Sequence, residues 1–159
     1  MREEALSLWL AGAALRSAGE PIQALVLDEV GHDMEAGATL AQALEKVTQS
    51  ERRPGDFGAE FLGPMLLPIL IEGIKAFWNL YLTELQKKAF GELATMTIDA
   101  VKAAFRKAVS SSEKEELLDG LEQSLRQVAA AHRLSAEQTA RLIALTKSPE
   151  LEYELGTSG

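Results

Sequence analysis

The sequence predicts an all-α fold: a bundle of six or seven helices, with short N-terminal helices and a larger bundle around a long central hydrophobic helix. Three observations predict it. Apolar residues recur at helical spacing in one stretch after another. Gly, Pro, Ser and Thr punctuate those stretches where helix ends belong. No stretch alternates with β-branched residues for long enough to read as a strand.

The elements follow in order. Leu6, Trp9, Leu10, Ala13 and Ala14 share a helical spacing, so residues 3–18 are predicted as a first amphipathic helix, ending before Gly19. Pro21 suits the first position of a second helix, where a missing N–H costs nothing; it runs through Ile22, Leu25, Val26 and Val30, with Gly31 as the stop. Gly37 and Thr39 precede a third short helix carrying Leu40, Leu44 and Val47. Residues 49–60 are polar, charged and broken by Pro54, Gly55 and Gly58, which makes them the linker. Between Phe61 and Thr83 only Glu72 and Lys75 are charged, spaced to pair across one helical turn. Pro64 and Pro68 cannot both lie inside a regular helix, so the long helix is predicted from about Pro68, with Ile71, Ile74, Trp78, Leu82 and Leu85 on one face. Thr97 caps the next helix, which carries Ile98, Val101, Phe105 and Val109. After a break at Ser110–Glu113 come Leu117, Leu118, Leu121, Leu125 and Val128; a turn at His132–Ser135 then leads to a last helix with Leu142, Ile143 and Leu145, ended by Pro149. The expected organisation is a short-helix subdomain over 1–48, a linker over 49–60, a bundle over 61–148 and a flexible tail over 149–159.

A chain of 159 residues can bury a core without staples, since a domain of about 150 residues hides roughly 68–70% of its unfolded surface. It contains no cysteine, which removes disulfides, thiolate metal sites and cysteine nucleophiles together. Met1-Arg2-Glu3-Glu4 places acids where a secretory leader would be basic, so the expected location is the cytoplasm. The net charge of −8 argues against bulk electrostatic attraction to nucleic acid or anionic lipid. That charge is uneven: residues 1–50 carry three basic and eight acidic groups, residues 62–112 six and four, and residues 113–159 five and nine. The most apolar part of the chain is therefore also its most basic.

No catalytic motif is present. The chain lacks a G-x-S-x-G elbow, an S-x-x-K pair, a Walker loop and a dinucleotide-binding glycine pattern. Glu29 and His32 form one E-x-x-H step of the kind that di-iron bundles use in pairs, but the other histidine, His132, has Ala129 three residues before it. A solvated acidic turn is the better reading. The chain is thus expected to be no enzyme, to need no cofactor and to take no small-molecule substrate.

The positive signal is the stretch from Phe57 to Phe90, which holds six of the nine Phe, Trp and Tyr residues. Aromatic anchors dominate interfaces. The expected function is a non-enzymatic interaction module, an adaptor, regulator or assembly subunit, that binds a protein partner or itself through Phe61, Phe77, Trp78, Tyr81 and Phe90. The alternative is a membrane-associating or pore-forming protein, with Trp78 and Tyr81 at the lipid interface and Lys75, Lys87 and Lys88 toward headgroups. A second alternative comes from Val128-Ala129-Ala130-Ala131-His132-Arg133-Leu134-Ser135 followed by Gln138-Thr139-Ala140-Arg141, which resembles the helix-turn-helix of bacterial DNA-binding domains. Ala129 matches the small position of the first helix and Leu134-Ser135 the end of the turn. Arg133 stands where glycine is usual, and Thr139 where an apolar residue normally packs. The resemblance implies a DNA-binding regulator in which Ser135, Gln138 and Arg141 face the groove.

Overall fold

The computed structural model describes residues 2–19, 21–50, 66–88, 97–147, 151 and 155. Among the described residues the fold is an all-α bundle of seven helices: α1 (Arg2–Ser17), α2 (Pro21–Glu35), α3 (Leu40–Ser50), α4 (Leu66–Lys88), α5 (Ile98–Val109), α6 (Lys114–Ala131) and α7 (Ala136–Thr146). No strand occurs among the described residues.

Local chemistry sets most of the boundaries. Gly19 takes a φ of +80° after α1, and Pro21 opens α2 as expected. The predicted stop at Gly31 is wrong. α2 runs through it to Glu35 and ends where Gly37 takes a φ of +109°, with Ala38 N–H bonded to Asp33 C=O and Gly37 N–H to Met34 C=O. A glycine inside a helix weakens it without ending it, and here it is the left-handed Gly37 that turns the chain out. Thr39 and Gln42 then form a reciprocal capping box at the start of α3, at 3.0 and 3.1 Å. α4 begins at Leu66, two residues before the expected Pro68. Pro68 falls in the first turn, whose N–H groups have no helical partner anyway. Thr97 caps α5 as predicted, its hydroxyl accepting from Ala100 N–H at 3.1 Å.

Two helices occupy the centre. α4 buries Ile71, Ile74, Trp78 and Leu82 of the face its periodicity announced, together with Leu70 and Phe77 beside it; the side chain of Leu85 lies outside what is described. α1 is the second. Its sequence reads as one amphipathic helix of a small subdomain, yet every residue from Trp9 to Leu15 is buried, Gly12 included. Ala11, Ala13 and Ala14 are the reason: small side chains on several faces let α2, α4, α5 and α7 all pack against α1.

α4 and α6 pack tightly at Gly73. A Cβ there would lie 2.6 Å from Leu125 Cδ2 and 3.2 Å from Leu125 Cα, so only glycine lets the helices meet at that depth. Glu72, expected to pair with Lys75, instead reaches His132 just after α6, with 2.7 Å between Oε2 and Nε2. Leu151 and Leu155, inside the stretch expected to be a flexible tail, are helical and buried in the core. The same core joins α1 to α4, so the helices of 1–48 and those of 61–148 share one hydrophobic interior. Of the expected linker, the first two residues belong to α3, and residues 51–60 lie outside the described residues.

Candidate functional site

Five rings from three helices meet in the core: Trp9 of α1, Phe77, Trp78 and Tyr81 of α4, and Phe105 of α5. Phe105 touches the other four, with centroids at 6.0, 5.9, 5.0 and 5.6 Å respectively. Most pairs are tilted or edge-to-face, which sets the positive edge of one ring against the negative face of another. Of the residues expected to bind a partner, Phe77 and Trp78 are buried here and Tyr81 is half-buried; Phe61 and Phe90 lie outside the described residues. Burial raises the Tyr81 phenol from 10.0 to about 12, and the negative charge of Glu113 adds to the effect. Trp9 and Phe105 were each legible as core positions of their own helices. Nothing in the linear pattern joined them to the α4 aromatics.

Beside Trp9 the packing opens. A groove of about 750 Å³ runs between α1, α2 and α5. Leu8, Trp9, Gly12 and Arg16 line it from α1, Leu27, Asp28, Gly31, His32 and Glu35 from α2, and Lys102 from α5. Helical periodicity explains the set: positions 8, 12 and 16 are one turn apart, as are 27, 31 and 35. Lys102 Nζ lies 5.4 Å from the Trp9 ring centroid, a cation–π contact, and has no carboxylate partner among the described residues. The Trp9 indole N–H is buried with no acceptor among the described residues. A Cβ at Gly31 would meet nothing within 4 Å, whereas one at Gly12 would lie 3.3 Å from the Arg16 guanidinium. Sequence reasoning missed this groove, because its α5 wall lies far in the chain from α1 and α2.

The turn between α6 and α7 has the geometry that the helix-turn-helix resemblance requires at one point. Arg133, at the position where that family has glycine, takes a φ of +57°. Leu134 N–H bonds to Ala129 C=O and Arg133 N–H to Ala130 C=O, closing the helix end around a left-handed residue. The three residues expected to face DNA are exposed or half-exposed but engaged locally. Ser135 and Gln138 cap α7 reciprocally, and Arg141 pairs with Glu137 at 3.0 Å. Glu122 forms an ion pair with Lys147 at 2.6 Å and accepts a hydrogen bond from Arg126 at 3.0 Å, and these two cations, Lys147 first, hold its carboxyl below the usual range.

Glu29 is exposed on α2, and His32 faces Glu35 at 3.9 Å. No group of three or more potential metal ligands occurs among the described residues. No described helix is long and apolar enough to cross a membrane. No protein-family model matches the chain, and it matches neither a curated protein nor a solved structure.

Proposed function

We propose that the chain is a non-catalytic helical interaction module, acting as an adaptor, regulator or assembly subunit, and that the outer side of α4 is its contact surface. The observation that carries this is Leu80, which is 66% exposed on the helix whose other large apolar side chains, where described, are buried or half-buried. A lone exposed leucine is ordinary. This one lies beside half-buried Tyr81, in the most apolar and most basic part of an acidic chain. Contact there with an acidic surface, including the flanks of a second copy, is favoured by charge and weakened by salt. The reading keeps the middle segment as the interface but moves the contact from Phe77 and Trp78, which the core uses, to their outward neighbours.

Light scattering after size exclusion tests it. A mass at least twice 17.2 kDa at micromolar concentration, falling to the monomer in Leu80→Glu with helicity intact, is expected. A monomer at every concentration would exclude self-association, and binding of the same sample to vesicles would favour the membrane reading instead.

The left-handed Arg133 favours a second reading as a DNA-binding regulator. Against it stand the local ion pairs of Arg126, Arg141 and Lys147 and the net charge of −8. Salt-dependent retention of a DNA duplex, lost in Arg141→Ala, is the result that reading requires.

A further inference from the structure

We propose that the groove between α1, α2 and α5 is a binding site for a small organic monoanion, a carboxylate with an aliphatic or aromatic body. The volume of about 750 Å³ lies within the range of roughly 300–1,000 Å³ that small-molecule sites occupy. Its chemistry is divided. Leu8, Leu27 and the Trp9 ring offer apolar surface, while Arg16 and Lys102 bring two positive charges to the same space. Lys102 is held over the Trp9 ring and not by a described carboxylate, so a ligand carboxylate there gains an ionic partner without displacing one.

Two features limit the ligand. Asp28 and Glu35 stand on the α2 wall, so a second negative charge on the ligand meets carboxylates as well as cations. This selects a monoanion over phosphate esters and other polyanions. Gly31, on that same wall, faces open space rather than a neighbour, so no internal packing accounts for the absence of a side chain there. Gly12 leaves room for the Arg16 guanidinium to lie along α1. The site is separate from the α4 surface proposed above.

Titration of the ¹⁵N-labelled full chain with octanoate and with phenylacetate, followed by NMR, tests the proposal. The Trp9 indole N–H and the Gly12 and Gly31 amides are expected to shift saturably with at least one of the two acids. The uncharged 2-phenylethanol is expected to bind about tenfold more weakly or not at all, the loss typical of a missing charged hydrogen bond, and inorganic phosphate likewise, because it has no apolar body and brings a second charge to the Asp28 and Glu35 wall. Lys102→Met should weaken carboxylate binding about tenfold. Gly31→Leu, which adds a side chain where no atom stands near the new Cβ, should do the same through bulk, with the helical circular dichroism unchanged. No saturable shift with either acid, shifts that map elsewhere, equal binding of phosphate, or full affinity in folded Gly31→Leu would each overturn the assignment.

Discussion

Gly73 and Gly31 are both glycines inside helices, and their surroundings are opposite. At Gly73 the missing Cβ is the space that Leu125 fills, so α4 and α6 can close on each other. At Gly31 the missing Cβ leaves an open wall of the groove. The first glycine is explained by packing. The second weakens its helix with no packing in return. The α4–α6 contact is closed and the groove wall at Gly31 is open, and substitutions should separate the two.

The largest effect belongs to the core. Trp78→Ala removes a fully buried ring from the aromatic cluster and should cost about 3–5 kcal/mol in denaturant titration. A loss under about 1 kcal/mol would mean the ring is not in the core at all. Gly73→Ala comes next. The new methyl gains helix propensity but collides with Leu125, which is itself fully buried; a net loss of about 1–2 kcal/mol is expected. Gly31→Ala should instead gain about 0.5–1 kcal/mol, because the methyl meets nothing. Equal changes at the two glycines would break the distinction between their surroundings.

The smallest effect is set by pH. The fold keeps Tyr81 neutral by raising its pKa from 10.0 to about 12. The neutral phenol's contribution is fully present below the unfolded value and is lost as the pH rises through the folded one. Stability should therefore fall across that alkaline window, and fall less in Tyr81→Phe. Since Tyr81 is only half-buried, the difference is expected to be small. Ultraviolet titration of the folded chain should show a late tyrosinate transition that Tyr81→Phe removes.

Much of the fold was legible in the sequence, for local reasons. Thr97, Ser135 and Pro21 are helix-start residues whose preference is set by their own backbone and hydroxyl groups, and each stands at the start of a helix. The α4 face was legible because period 3.6 survives along 23 residues. Gly31 misled because propensity records a cost and not a conformation: the turn came later, at Gly37, where φ is positive. The placement of the site residues was legible only in part. Phe77 and Trp78 read as interface anchors because aromatic residues look the same, in sequence, whether they meet a partner or their own chain.

By itself the sequence determined the helical class, the places where most helices start, and the inward face of α4, all of which depend on interactions within a few residues. The tertiary structure alone decided that α1 is central, that Trp9 and Phe105 close over the α4 rings, and that a groove remains between α1, α2 and α5. These depend on contacts between residues far apart in the chain, where neither helical periodicity nor a capping motif carries information.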